Sequence, residues 1–243
     1  LAPGESREFA LRIPMTGEMT SAPANWNAQS MQDAMAREWH GKLDEVGFDV
    51  PAAGKDLADT LRTSLAHMLI SRIGPRLQPG TRSYARSWIR DGAMISEGLL
   101  RMGRPEVVRE YVEFYAPYQF DNGKVPCCVD DRGSDPVPEN DSHGELIFNI
   151  AEYWRYTGDD AFLQKMWPHV LGAYTYMEEL RASERTEENR KLNAAFYGMM
   201  PASISHEGYS AKPMHSYWDN FWALRGYKDA VQMAQALGRD EDA

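Results

Sequence analysis

The chain has 243 residues, of which 43% are hydrophobic and 11% aromatic, and this is enough to build a sizeable core. Its formal net charge of -10 excludes the basic surface that nucleic-acid binding requires, but it is compatible with an uncharged ligand such as a sugar. The sequence has no run of about 18 apolar residues, so it predicts no segment that spans a membrane. We therefore expect a globular protein with no nucleic-acid partner and no membrane partner.

The first predicted element is a short β-strand. Apolar and polar residues alternate from Arg7 to Ile13, and the pattern ends at Pro14. No partner strand follows nearby, and a lone strand is not stable. Residues 1–24 are therefore expected to form an extended arm that lies on a helical body, or the tail of a preceding β domain.

Two amphipathic helices are predicted next, because the apolar period changes to about 3.6 residues from Trp26 onward. The first helix ends at Gly47 and the second at Gly74. Residues 25–243 are therefore expected to be helical. The apolar faces consist of Met31, Met35, Trp39, Leu43 and Val46 in the first helix, and of Leu57, Leu61, Leu65 and Met68 in the second.

Three later segments repeat one pattern, in which an aspartate is followed by a helix, a glycine stop and the start of a second helix. The aspartates are Asp91, Asp141 and Asp219, and the first of these precedes a helix predicted for Ala93 to Met102. Such helical hairpins must stack on their neighbours, as in a solenoid or a closed toroid, because one hairpin cannot bury both faces. In a closed ring the first helices all point the same way, so the three aspartates would meet at one rim around a shared cavity.

The expected fold is therefore all-α, an (α/α)6 toroid of helix hairpins. A ring of six hairpins needs about twelve helices, whereas about seven helix starts can be counted, the last at Asp240 and Glu241. We therefore expect this chain to be the N-terminal part of the barrel, with the remaining C-terminal hairpins as its partner.

The two cysteines, Cys127 and Cys128, are adjacent, which excludes the spaced pairs that hold zinc or build a disulfide framework. Two interpretations stay open, a strained vicinal disulfide and two buried thiols near a short strand or loop. The nearby acids Asp130, Asp131 and Asp135 lack the ligand spacing of a calcium loop. They are expected to be solvated loop charges, and no metal and no cofactor is predicted.

The stretch S-Y-A-R-S-W-I-R-D-G, from Ser83 to Gly92, places aromatic, cationic and acidic side chains close together. Two interpretations are possible from this stretch considered by itself. Arg90 and Asp91 could form a local ion pair with Trp88 packed under the arginine stem. Alternatively the three side chains form a binding surface, which the recurrence of aspartates at equivalent helix starts favours.

Three motifs share these helix starts. They are W-I-R-D-G (Trp88 to Gly92), N-D-S-H-G-E-L (Asn140 to Leu146) with E-Y-W-R-Y-T-G-D after it, and H-S-Y-W-D-N-F-W-A-L (His215 to Leu224). From about Trp39 onward the sequence resembles the six-hairpin glycosidases, which include glucoamylase, the glucosidase domain of glycogen debranching enzyme, trehalase and processing α-glucosidases. The resemblance implies an inverting glycoside hydrolase that acts on a neutral, α-glucosidic oligosaccharide or glycoside.

The resemblance also implies substrate-binding residues. Arg90 and Asp91 would hydrogen-bond the hydroxyls of the sugar whose bond is cleaved, and Trp88 would form an apolar wall. Asp141 is expected either to contact the sugar or to cap a helix, a role that Ser142 could also fill. In the loop before the third repeated helix, His215 and Trp218 are further substrate-binding candidates.

Inverting hydrolysis needs one carboxylic acid and a second carboxylate about 6.5 to 9.5 Å away that activates water. In the relatives the acid lies in the loop before this third helix, so Glu207 is the first candidate for the general acid and Asp219 the second. The resemblance places the general base in the last hairpins, C-terminal to residue 243.

Two other functions are alternatives to glycoside hydrolysis. The first is a non-catalytic carbohydrate-binding or scaffold protein that keeps the rim but has no acid and base pair. The second is another α-toroid enzyme, such as a zinc-dependent cyclase or prenyltransferase, which needs converging Cys and His ligands. The scattered histidines are not a persuasive set; they are His40, His67, His143, His169, His206 and His215.

Overall fold

The computed structural model describes the chain except for residues 8, 10, 12, 14–16, 18–20, 22–26 and 206–211. The described residues are mostly helical, with eight α-helices and one small sheet. They fall into two compact units, Leu1–Arg62 and Thr63–Ala243. The predicted N-terminal strand and the predicted boundary at residue 24 fall largely on residues outside the described part, so both stay predictions.

The first unit contains the first predicted helix, α1 (Ala28–Leu43). Its N-cap is Asn27, whose side chain accepts a hydrogen bond from the Ser30 amide at 2.7 Å. In α1, which lies wholly within the described residues, no side chain is fully buried; Met31 and Met35 are exposed, whereas Trp39 and Leu43 are partly buried. Helix α2 (Lys55–Ser71) begins in this unit and continues into the second. None of the described helices has an apolar stretch that could cross a membrane.

The second unit contains the repeated hairpins that the sequence predicts. In the first hairpin, Pro105 is the first residue of the second helix, and in the next a turn at Gly158 with φ of +67° separates the helices. A short helix in the loop that follows was not predicted. The helices are α3 (Ile89–Arg101), α4 (Pro105–Tyr115), α5 (Ser142–Thr157), α6 (Asp160–Glu184), α7 (Glu187–Leu192) and α8 (Tyr217–Ala236).

Helices α3, α5 and α8 form one layer, with α5 between the other two. Helix α4 packs on α3 and α5, and α6 packs on α5 and α8, so α4 and α6 form a second layer. The hairpins therefore stack side by side, while the closed ring stays a prediction. The predicted helix start at Asp240 is a single turn, in which the Asp242 amide donates to the Arg239 carbonyl. The core between the layers is fully buried and includes Tyr111, Tyr115, Leu146, Ile147, Ile150, Phe162 and Leu163.

Helices α5 and α8 are in backbone contact. A Cβ atom added to Gly144 would lie 2.1 Å from the carbonyl oxygen of Trp222, and one added to Gly226 would lie 2.9 Å from the Gly144 Cα. Only glycine therefore fits at this crossing without separating the two helices.

The three described strands form one antiparallel sheet, in which the first strand directly precedes α3 and the other two lie between α4 and α5. It consists of β1 (Ser87–Trp88), β2 (Cys128–Asp130) and β3 (Gly133–Ser134), with Trp88 paired with Cys128. Cys127 is buried beside Cys128, and both are free thiols with their Sγ atoms 3.9 Å apart, so of the two interpretations the buried thiols are confirmed.

The loop acids near this sheet are not simply solvated, and that prediction is wrong. Asp130 and Asp135 each accept a hydrogen bond from the Arg86 guanidinium at 2.8 Å. Asp131 is exposed, and its carboxylate lies 2.7 Å from Arg76. These pairs could not be predicted from local patterns, because both arginines are more than 40 positions away from the acids they bind.

Candidate functional site

The sequence predicted that the W-I-R-D motif precedes a helix that begins at Ala93. In the structure the motif is instead the start of helix α3. Helix α3 begins at Ile89, so Arg90 and Asp91 occupy its first turn. The Ile89 amide donates to the Cys127 carbonyl at 3.1 Å, and Trp88 is paired in the sheet. The sheet therefore fixes where the helix starts and which way its first side chains point.

Arg90 is bound by carboxylates that are distant in the sequence. Its Nε donates to Oδ2 of Asp141 at 2.8 Å, and its Nη2 is paired with Glu139. Burial acts to lower the pKa of Arg90, but the charges of Asp141 and its neighbouring acids outweigh this and raise it above the ordinary value. Arg90 is therefore a fixed cation, and the motif is more than a local pair with Asp91.

Trp218, in the first turn of α8, hydrogen-bonds to the same carboxylate. Its Nε1 donates to Oδ2 of Asp141 at 2.8 Å, so this one oxygen accepts from both α3 and α8. We call Arg90, Glu139, Asp141 and Trp218 the helix-start cluster. Its hydrogen bonds join the starts of α3, α5 and α8, while the shared cavity that the hairpin repeat predicts around Asp91, Asp141 and Asp219 stays a prediction.

Asp141 lies at the centre of this cluster and is fully buried. It occupies the N-cap position of α5, yet its side chain makes no capping hydrogen bond. The capping interpretation therefore does not describe what this carboxylate does, which is to hold Arg90 and Trp218. Direct contact between Asp141 and a sugar stays a prediction, because a ligand would reach it only after a neighbouring side chain moved.

Aromatic surface borders the cluster. Trp88 is half-buried, with the Arg86 guanidinium 5.4 Å from its ring centroid. Trp218 is 40% exposed and makes an edge contact with Trp222, their ring centroids 5.9 Å apart. Two partly accessible indole rings therefore lie at the starts of α3 and α8, the helices on either side of α5 and its Asp141.

Asp219, the second candidate for the general acid, is fully buried in the first turn of α8. Its Oδ2 accepts from the Ser203 hydroxyl at 2.6 Å, and this hydroxyl is 2.7 Å from that of Ser205. The Ser205 hydroxyl in turn accepts from the Asn140 amide at 2.7 Å. Asp219 thus ties the loop before α8 to the loop before α5, and sequence reasoning did not foresee the two serines.

His215 lies in a different neighbourhood from the helix-start cluster. Its ring stacks on Phe196 with centroids 3.9 Å apart, and its Nε2 is 3.4 Å from Glu184 at the end of α6. Together with Met199 and Tyr217 it lines a cavity of about 150 Å³. Its role as a sugar ligand stays a prediction.

A larger cavity of about 430 Å³ adjoins this one along α8. Its lining is mostly apolar, and its one charged lining residue is Arg181, which is paired with Glu178. Arg90, Asp141 and Trp218 line neither of these two cavities. The other lining residues of the larger cavity include Met199, Met200, Phe221, Leu224 and Tyr227.

Glu207, the first candidate for the general acid, lies outside the described residues.

Sequence reasoning missed Glu145, which is fully buried on α5 beside the cluster. The signal that could have found it is the D-x-x-x-E spacing, which places Asp141 and Glu145 one helical turn apart. Burial lowers the pKa of His143 to about 3, so this neighbour is a neutral ring that accepts a hydrogen bond from the Val125 amide at 3.1 Å.

Among the residues that the structure describes, metal-binding side chains do not converge on the helix-start cluster. Within the described part of the chain, the group that could hold an ion consists of Cys127, Cys128 and Asp135 beside the sheet. Asp135 is already bound by Arg86, and the interaction with the neighbouring Cys128 thiol, together with burial, raises the pKa of Cys127. Zinc binds the thiolate form of cysteine, so a thiol that stays protonated and an aspartate that is already ion-paired are poor zinc ligands.

No protein-family description, curated protein or solved structure matches this chain. The resemblance to six-hairpin glycosidases therefore rests on the motifs in the sequence. The geometry of the helix-start cluster is the independent basis on which a function can be argued.

Proposed function

We propose that this chain is an (α/α)6-type glycoside hydrolase that holds a neutral, α-glucosidic carbohydrate at the starts of α3, α5 and α8. The observation that carries the proposal is the shared oxygen of Asp141, which accepts from Arg90 and Trp218 at 2.8 Å each. This contact joins one residue from each of the three motifs that carry the family resemblance.

The cluster has the chemistry that a sugar requires. Sugar hydroxyls need polar hydrogen-bonding partners, of which charged groups give the stronger bonds, and the C–H faces of the ring pack on aromatic surface. Arg90 keeps 23% of its side-chain surface exposed while its orientation is fixed by two carboxylates. Trp88 and Trp218 supply partly accessible rings at the same helix starts. A cation that is already oriented loses little freedom when it binds a hydroxyl.

For the catalytic step we assign the general acid to Glu207 in preference to Asp219. Asp219 is fully buried and bonded to Ser203, and these contacts suit a structural carboxylate better than one that protonates a leaving group. The family resemblance implies that the general base of an inverting enzyme belongs to the last hairpins of the barrel. Arg90, Asp91 and Trp88 would bind the sugar whose bond is cleaved.

The test is an assay of the full-length protein on maltose and longer α-linked glucans, with the product anomer followed by NMR. We expect the initial product to have the inverted configuration, and Glu207→Gln to lower kcat by about 10²- to 10⁴-fold. Glu188→Gln, which changes an exposed glutamate on α7, is the control and should keep full activity. Unchanged activity in Glu207→Gln would remove this residue as the acid, and inactivity on every glycoside tested would contradict the proposed class.

A second candidate function is carbohydrate binding without hydrolysis. The complete burial of Asp219 favours it, because this candidate acid is engaged in a structural network. Binding of a malto-oligosaccharide to the full-length protein, with no product after prolonged incubation, would select this function over hydrolysis.

A further inference from the structure

Glu145 presents an unusual problem of hydrogen bonding. It is fully buried on α5, one turn after Asp141, and neither of its carboxyl oxygens has a donor among the described residues. The same holds for Oδ1 of Asp141. Carboxylates are acceptors only, so two ionised groups would leave three buried oxygens without a proton to accept. One proton on Glu145, donated to Oδ1 of Asp141, satisfies two of these three oxygens, and the third then belongs to a neutral carboxyl group, which costs less to bury than a charged one.

The electrostatics favour this proton. Burial raises the pKa of Glu145 well above its usual value, and the negative charges of Asp141 and Glu139 act in the same direction, against the opposing effect of Arg90. The Asp141 carboxylate can also accept a hydrogen bond from a protonated Glu145, which raises the pKa of Glu145 further. From α4, the phenol groups of Tyr111 and Tyr115 are within electrostatic range of Glu145 and are themselves neutral, because burial raises their pKa.

We propose that Glu145 is a positioning residue, whose neutral carboxyl group donates a hydrogen bond to Asp141 and so holds Asp141 against Arg90 and Trp218. Glu145 and Asp141 then carry one negative charge between them instead of two, beside an Arg90 cation that Glu139 also contacts. The proton gives Asp141 a donor on the side that faces away from Arg90 and Trp218, so its carboxylate has one preferred orientation.

The neutral state of Glu145 does not depend on the proposed function, whereas its effect on ligand binding does. The helix-start cluster can present Arg90 and Trp218 to a sugar only while Asp141 keeps its orientation. A loss of the Glu145 donor should therefore weaken binding without any contact between Glu145 and the ligand.

The test compares the full-length wild type with Glu145→Gln, whose amide can still donate, and Glu145→Met, which has no donor and a similar size. The first readout is the infrared carbonyl band of a protonated carboxyl group in the wild-type minus Glu145→Gln difference spectrum at neutral pH. The second is the unfolding equilibrium constant in urea from about pH 5 to 8, a range in which most proteins of this kind are stable. Glu188→Gln is the control for removal of an exposed glutamate.

The native state holds a proton on Glu145 that the unfolded chain releases above about pH 4.3. As the pH rises, the wild type should therefore lose stability relative to Glu145→Gln, by up to about tenfold in the unfolding constant per pH unit. The protonated-carboxyl band should be present. Glu145→Met should unfold more readily than Glu145→Gln at every pH. A missing band, or parallel pH profiles for the wild type and Glu145→Gln, would overturn the inference.

Titration with maltotriose separates this inference from the proposed function. Glu145→Gln should bind like the wild type, and Glu145→Met should bind about tenfold more weakly. If the wild type binds no maltotriose although the protonated-carboxyl band is present, the proposed function fails and the neutral state of Glu145 stands. If Glu145→Met binds maltotriose as tightly as the wild type, Glu145 is not a positioning residue.

Discussion

Helix α5 contacts α8 at two places, one of which requires particular side chains and the other the absence of a side chain. At its start, Asp141 accepts a hydrogen bond from Trp218, and this contact needs particular functional groups at both positions. Three residues later, Gly144 lies against the Trp222 carbonyl, and this contact needs the absence of a side chain. The first contact depends on charge and protonation, while the second depends only on space. The polar start of the helix can therefore serve a function, and the glycine contact sets the distance at which it does so.

The largest effect is expected from Gly144→Ala, which breaks the steric contact. The added methyl group would lie 2.1 Å from a backbone carbonyl oxygen, so α5 and α8 would have to separate. We expect the free energy of unfolding to fall by about 3 kcal/mol, measured by urea denaturation. The matched control is Gly41→Ala in α1, where a Cβ meets nothing within 4 Å and helix propensity should stabilise the protein by up to about 1 kcal/mol. Equal effects of the two substitutions would contradict the backbone contact.

The next effect is expected from Arg90→Met, which breaks the polar contact. The substitution leaves the fully buried Asp141 without its cation, and the free energy of unfolding should fall by about 2 kcal/mol. Arg101→Met, in the same helix, removes an exposed pair with Glu97 and should leave stability nearly unchanged. If the two variants have the same free energy of unfolding, the ion pair of Arg90 does not stabilise the fold.

Ser203→Ala tests the second polar link between the loops before α5 and α8. It removes the hydroxyl that donates to Asp219 at 2.6 Å, and the expected loss in the free energy of unfolding is about 1 kcal/mol. Ser183→Ala is a suitable control, because this exposed hydroxyl donates only to the carbonyl one turn earlier in α6. A loss no greater than that of the control would mean that Asp219 does not need Ser203.

The smallest effect on stability is expected from Trp218→Phe, which keeps an aromatic ring and removes the Nε1 donor to Asp141. Because Trp218 is partly exposed, the free energy of unfolding should fall by less than about 1 kcal/mol. The affinity for a malto-oligosaccharide should fall more clearly than the stability, since the ring loses the hydrogen bond that orients it. A stability loss as large as that of Arg90→Met would show that Trp218 acts mainly as a core residue.

The sequence predicted the hairpin order well, because helical periodicity and glycine stops are local signals. Gly158 ends α5 and Pro105 begins α4 where these signals place them. The start of α3 was placed too late, because the pairing of Trp88 with Cys128 that fixes it is a contact between distant residues. In the same way, the spacing could not reveal that Arg90 would bind Asp141, 51 positions away.

The burial of the candidate carboxylates was also beyond the sequence. Asp141, Glu145 and Asp219 resemble the acids of any polar helix start, and only the packing of α5 between α3 and α8 removes them from solvent. This packing depends on glycines whose side-chain absence has no periodic signature. The motifs therefore indicated which residues matter, while their partners and protonation states required the fold.

The central claim is that the starts of α3, α5 and α8 form a carbohydrate-binding site. Calorimetric titration of the full-length protein with maltotriose tests it most directly, with Trp218→Ala compared against Tyr156→Ala, an exposed aromatic at the opposite end of α5. The account predicts that Trp218→Ala raises Kd by about tenfold or more and that Tyr156→Ala leaves it unchanged. Equal Kd values for the wild type and Trp218→Ala, or no binding of maltotriose by the wild type, would contradict it.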